Sequence, residues 1–189
     1  MFELSAHAQN YLNQTRDFIH NEIEPIEADF WHEVHHLNPS DQWTTWQWPQ
    51  QLEILKNKAK AAKLWNMFLP DPILGQGLSV QEYAHIAELS GRSLLAPIIF
   101  NCNAPDSGNM EVLWRYGTEQ QKKQWLMPLL DGKIRSVFCM TEPDVASSDA
   151  TNMQATAVID GDEIVLNGRK CWSSGLGDPN AKILIFMAH

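Results

Sequence analysis

The hydrophobic period of this chain changes at Gly132, and that change limits what it can fold into more than any other feature. Upstream, apolar residues recur at helical intervals. Downstream they alternate, as in a strand with one buried face. Leu4, Ala8, Tyr11, Leu12, Phe18, Ile19 and Ile23 form one helical stripe closed by Pro25, and Leu52, Leu55, Ala59 and Ala62 form another. Between them, from Asp29 to Trp48, the period fails and His, Trp, Asn and Pro accumulate. That stretch reads as a long ordered loop with Trp43, Trp46 and Trp48 as aromatic anchors. Phe68 to Gly77 reads as turns rich in Pro and Gly.

Capping chemistry marks further helices. Ser79 with Glu82 is a capping box opening a helix from Val80 to Leu89, which Ser90-Gly91 stops. An apolar stretch runs from Leu94 to Phe100, and a short helix from Asn109 to Tyr116 ends at Gly117. Thr118 with Gln121 is a second box, opening an amphipathic helix from Glu119 to Leu130 that Asp131-Gly132 ends.

Beyond Gly132, Ile134 to Met140 and Met153 to Ile159 read as strands. Asp160-Gly161 is expected to turn into Glu163 to Leu166, Asn167-Gly168 into Arg169 to Trp172, and Lys182 to Ala188 is a last strand. Helices followed by an antiparallel meander give an α+β class. The expected division is a helical domain over 1–133 and a β domain over 134–189. The last strand runs to His189, so the β domain is expected to be incomplete.

A formal net charge of -9 argues against nucleic acid or an anionic membrane surface as partner. No apolar run reaches the ~20 residues of a membrane span. Phe2 to Ile26 is acidic and helically periodic, unlike a leader, so the expected location is cytoplasmic. Cys102, Cys139 and Cys171 sit beside apolar residues without paired spacing and read as buried free thiols.

Two hydroxyl-bearing segments hold the candidate chemistry. They are Phe138-Cys-Met-Thr-Glu-Pro-Asp-Val-Ala-Ser-Ser-Asp149 and Lys170-Cys-Trp-Ser-Ser-Gly175. Trp172 beside Ser173, Ser174 and Gly175 is either an ordinary strand-end aromatic or a plane for a flat heterocycle. Glu142 is either a general base or, more in keeping with a lone carboxylate beside Pro143, a structural hydrogen-bond partner. His32-Glu33-Val34-His35-His36 satisfies H-E-x-x-H, but in a segment of weak periodicity it reads as a chance match, and no metal is expected. Trp65, Trp114 and Trp125 read as core. Neither a Rossmann nor a Walker phosphate cradle is present.

Taken together, Thr141-Glu-Pro with Ser148-Asp149, Asn167-Gly-Arg-Lys-Cys-Trp-Ser-Ser174 and Tyr116-Gly-Thr-Glu-Gln-Gln-Lys122 resemble the acyl-CoA dehydrogenase family. Its members read T-E-P-x-x-G-S-D, N-G-x-K-x-W-[IS]-[ST] and Y-G-[ST]-E-x-Q-K at these places. Asn103 to Glu111 and Asp144 to Asn152 are similar to the branch known in animals as family member eleven. The resemblance implies a helical domain, a middle β domain of acyl-CoA dehydrogenase type and a C-terminal helical domain absent from this chain. It implies FAD as cofactor and α,β-dehydrogenation of an acyl-CoA in fatty acid β-oxidation, with electron-transfer flavoprotein as acceptor and a homo-oligomer as the working form.

By the same resemblance Phe138, Met140, Thr141, Trp172 and Ser174 contact the cofactor. The loop from Thr141 to Asp149 is one residue longer than the family's, so Ser148 faces the acyl-CoA with Ser147 as its competitor. No residue matches the family's catalytic Glu, which is expected beyond His189, so the chain alone is expected to be inactive. The rival readings are an acyl-CoA oxidase and a non-catalytic remnant that binds acyl groups or partners.

Overall fold

The computed structural model describes residues 3–40, 42 and 45–189. The expected anchor Trp43 and the start of the acidic N-terminal stretch at Phe2 lie outside them. Two compact units divide the chain, Met1–Glu111 and Val112–His189.

The first unit is built from amphipathic helices. Helix α1 (Ala6–Phe18) starts at Ser5, whose hydroxyl accepts from the Ala8 N–H, and continues as a π-helical turn over Ile19–Ile23. Pro25 has no N–H to extend it. Ala8, Tyr11, Phe18, Ile19 and Ile23 of the expected stripe are buried. In α3 (Gln51–Ala61) the buried residues are Leu52, Leu55 and Ala59. Helix α4 (Val80–Ser90) opens on the expected capping box of Ser79 and Glu82, with Gly91 at its end. α5 (Ala96–Ile99) is a single turn inside the apolar stretch. α4 packs on α1 and α5 on α3, closing a core that includes Leu64, Met67, Ile86, Leu95 and Phe100. Between the helices, Asn66 and Asn101 both hold left-handed backbone, and the Asn101 amide donates to Asn66 Oδ1 at 2.8 Å.

Helix α2 (Glu27–Leu37) corrects the loop expected from Asp29 to Trp48. Phe30, Val34 and Leu37 do keep helical spacing, but three His between them mask the contrast that periodicity reads. The helix carries Glu27 and Asp29 in its first turn and His35 and His36 in its last, the charge order its dipole favours. Trp48 is an anchor as expected, stacked on buried Phe30 at 6.3 Å between centroids. Trp46 is mostly exposed and is not. Asn38 clamps the chain beyond, donating to the Val34 and Gln47 carbonyls and accepting from the Gln47 N–H.

Helix α6 (Asp106–Tyr116) begins three residues before the expected Asn109 and contains the division between the units. In the second unit the Thr118–Gln121 box opens α7 (Glu119–Gln121), which runs through a π-helical turn (Lys122–Leu126) into α8 (Met127–Leu130). Strand β1 (Arg135–Cys139) pairs in parallel with β4 (Ala181–Phe186), Val137 opposite Leu184. Strands β2 (Thr156–Asp160) and β3 (Glu163–Asn167) form an antiparallel ribbon.

The α+β class holds, with a helical part and a partial β part, but the single antiparallel meander is corrected to two two-stranded sheets, one of them parallel. The hairpin turn is Gly161-Asp162, because Asp160 pairs with Glu163. Arg169 to Trp172 is not a strand. Gly168 and Trp172 both have positive φ, which breaks a pleated run. Among the described residues no helix is long and apolar enough to cross a membrane.

Two stability outcomes follow. Leu55→Ala, at a fully buried site, should lose about 2–5 kcal/mol in denaturant unfolding. Ser79→Ala, which removes one half of the capping box, should lose about 1 kcal/mol.

Candidate functional site

In the second unit, β1 stops at Cys139, leaving the next carbonyls without a ladder partner, and Pro143 cannot extend the strand. The sequence supplies other donors. Lys170 Nζ donates to the Met140 carbonyl at 3.0 Å, and the Cys171 N–H donates to the Thr141 carbonyl at 2.9 Å. Lys170 Nζ also donates to Glu142 Oε1 at 2.8 Å, and the two side chains are only 6% and 5% exposed. The Glu142 carboxylate accepts in addition from the Gln154 N–H at 2.7 Å and the Ala155 N–H at 2.9 Å. The Glu142 N–H donates to Ser147 Oγ at 2.7 Å. Met153 Sδ lies 3.7 Å from the ammonium, and the Phe186 ring lies 5.1 Å below it.

These bonds set the electrostatics. The Lys170 ammonium, followed by the Gln154 and Ala155 N–H groups, holds the Glu142 carboxyl at about 2, below its usual 4.5. Asp149 is also lowered, because its carboxylate accepts from the Thr151 hydroxyl and N–H. A carboxylate held this firmly as an anion is a weak proton acceptor, and its contacts are those of a structural hydrogen-bond partner.

The candidate residues fall into two groups. Phe138 is half-buried on β1, opposite Ile185 in the ladder, and Met140 and Thr141 are half-buried just beyond it. Thr141 is joined through Cys171 to the segment that carries Trp172. Trp172 holds φ +54 with 88% of its surface exposed. Left-handed backbone is costly for a bulky residue and persists where the surroundings enforce it. Ser174 and Ser148 are exposed, whereas Ser147 is 2% exposed and engaged with Glu142. Gly168, at φ +152, lies so close to Ala155 that a Cβ there would stand 2.5 Å from the Ala155 Cβ.

The residue that sequence reasoning missed is Lys170. No local signal could have found it, because its partner Glu142 lies 28 positions away.

Elsewhere the candidates are structural. Trp65 is core, while Trp114 and Trp125 are half-buried. His32 and His36 lie on α2 and not on a loop, exposed, and among the described residues no group of three or more His, Cys, Asp or Glu could hold a metal. Of the three free thiols Cys139 is buried and Cys102 and Cys171 are half-buried. Burial pushes the Cys102 thiol up to about 11, and also raises the neighbouring Tyr83 hydroxyl.

The family model for the acyl-CoA dehydrogenase N-terminal domain matches residues 5–133, and the chain belongs to the acyl-CoA dehydrogenase family. It is 50% identical over 190 residues to acyl-CoA dehydrogenase family member 11 of Gallus gallus, covering 99% of this chain and 23% of that protein. Its fold matches a Mycobacterium abscessus protein provisionally called an acyl-CoA dehydrogenase. The TM-score is 0.90 at 57% identity, over 98% of this chain and 46% of that one. An acyl-CoA dehydrogenase of Bacillus anthracis complexed with FAD matches at TM-score 0.66 and 26% identity, over 98% of this chain and 29% of that one. The chain thus spans less than half the length of each.

Glu142 gives a pH test. Its folded value lies below the ordinary one, so the stability it contributes is complete above about 4.5 and is lost as pH falls towards about 2. The acid-unfolding curve of Glu142→Gln should therefore be flatter than that of the parent across that window, and the two should be parallel above it. Gly168→Ala should cost about 1–3 kcal/mol by overpacking against Ala155, read by thermal unfolding.

Proposed function

We propose that this chain supplies the helical part and one wall of the FAD and acyl-CoA site of an enzyme that dehydrogenates acyl-CoA thioesters at the α,β position. The observation that carries this is Trp172. Its indole is exposed, its backbone is held left-handed, and the residue before it is bonded to Thr141. An aromatic plane fixed beside a turn with hydroxyls fits a flat heterocycle.

In this reading Trp172 stacks against the flavin, Phe138, Met140 and Thr141 line it, and Ser174 offers a hydroxyl at its edge. The chemistry such a flavin supplies is acceptance of a hydride from the β carbon of the thioester. Ser148, whose side of the loop is exposed, faces the acyl-CoA. Ser147 is committed to the Glu142 N–H and does not.

By the family resemblance, in which no residue of this chain matches the catalytic Glu, the carboxylate that removes the α proton is assigned to sequence outside these 189 residues. The domain division of the proposal is 1–133 and 134–189. Electron-transfer flavoprotein is the acceptor, β-oxidation the process, a homo-oligomer the working form and the cytoplasm the location.

In the longest polypeptide carrying this sequence, Trp172→Ala should raise the FAD dissociation constant about tenfold, the loss of one aromatic stack. An unchanged FAD affinity would overturn the assigned flavin wall. Ser148→Ala should raise KM for acyl-CoA with little change in FAD retention. Loss of FAD in its place would move Ser148 to the cofactor.

A further inference from the structure

We propose that the buried Lys170–Glu142 pair is the positioning device of this site, fixing the Met140–Thr141 turn against the Cys171–Trp172 segment before any ligand arrives. The inference rests on the flavin reading of Trp172 for its purpose, but the geometry is independent of it. The three donor directions of the Lys170 ammonium are taken up by the Met140 carbonyl, Glu142 Oε1 and Met153 Sδ. Its position is therefore specified by neighbours on two segments, the turn after β1 and the approach to β2.

The grip is on successive residues. Lys170 and Cys171 hold the carbonyls of Met140 and Thr141, through a side chain and a backbone N–H respectively. Trp172 comes next, in a backbone conformation that would relax if the segment before it were free. Glu142 acts in the same way on the other hydroxyl loop. Its N–H draws the Ser147 hydroxyl inward, and that choice leaves Ser148 outward. The side-chain pair thus holds the turn next to the segment that carries Trp172, and the backbone N–H of the same Glu142 engages Ser147 and leaves Ser148 outward.

Stability alone is a weak reason for such a pair. Two well-packed apolar residues in place of a buried ion pair are often neutral or better, whereas removal of one partner leaves an uncompensated charge. That asymmetry gives the test. Glu142→Gln combined with Lys170→Met removes both charges, so a merely structural pair predicts near-parental melting and parental site properties.

Positioning predicts near-parental melting with a loosened site. The Cys171 amide in flavin-free protein should exchange about tenfold faster by NMR, a loss comparable to one charge-assisted hydrogen bond. Leu64 in the helical core should not change. With FAD added, the dissociation constant should rise about tenfold and the flavin absorption band should shift towards that of free FAD. Parental Cys171 exchange in the double variant overturns the proposal. So does parental FAD affinity with a parental flavin band.

If the double variant does not fold, Glu142→Gln alone is read in the same way, and an unchanged Cys171 exchange rate in it overturns the proposal. If the parent protein takes up no FAD, the flavin reading falls, and the exchange measurement still decides whether the pair positions the turn.

Discussion

A carboxylate and an ammonium can remain charged inside a protein only when their remaining lone pairs and protons find partners. Glu142 and Lys170 meet that condition with the backbone of Met140, Gln154 and Ala155. The second unit is organised by this requirement. It ties the end of β1, in one sheet, to the approach to β2 and the segment after β3, which flank the other. The loops close to the candidate site are therefore specified by polar satisfaction, where one misplaced donor would leave a buried charge exposed to its full desolvation cost.

The first unit is specified differently. Its helices are positioned by aliphatic burial along α1, α3 and α4, which tolerates exchange of shape for shape. Polar ties add to this, among them the Asn66–Asn101 pair, which holds two left-handed residues where helices give way to turns. Left-handed Asn is inexpensive beside left-handed Trp, so strain is low here and higher at Trp172. Strain placed at the exposed aromatic, with polar clamps behind it, is the pattern of a preorganised site.

What was legible in the sequence follows from range. The capping boxes at Ser79 and Thr118, the α1 and α3 stripes and strands β1 and β3 rest on residues a few positions apart and are found close to where the local pattern puts them, whereas β2 begins at Thr156 and not at the expected Met153. Helix α2 was not legible, because His32, His35 and His36 dilute an apolar face that only Phe30 fully buries. The parallel pairing of β1 with β4 was not legible either, since alternation gives a strand its faces but not its partner. In the site, the motif residues were visible as a set. The Lys170–Glu142 pair spans 28 positions, and local spacing carries no information about it. The choice between Ser147 and Ser148 likewise depends on where the Glu142 N–H points.

The two sheets have two strands each, and a lone two-stranded ribbon is marginal in water. β2 and β3 leave Val158, Ile159, Ile164, Val165 and Leu166 largely exposed, so little burial opposes their local opening. The turn at Glu142 has the opposite character, with buried Glu142, Ser147, Met153 and Ala155 around it. Among the described residues of this unit, burial and polar contacts are therefore denser in the irregular chain around Glu142 than in the regular ribbon. The Lys170–Glu142 pair is the reason: irregular backbone is specified in detail where a buried charge needs its donors in one place.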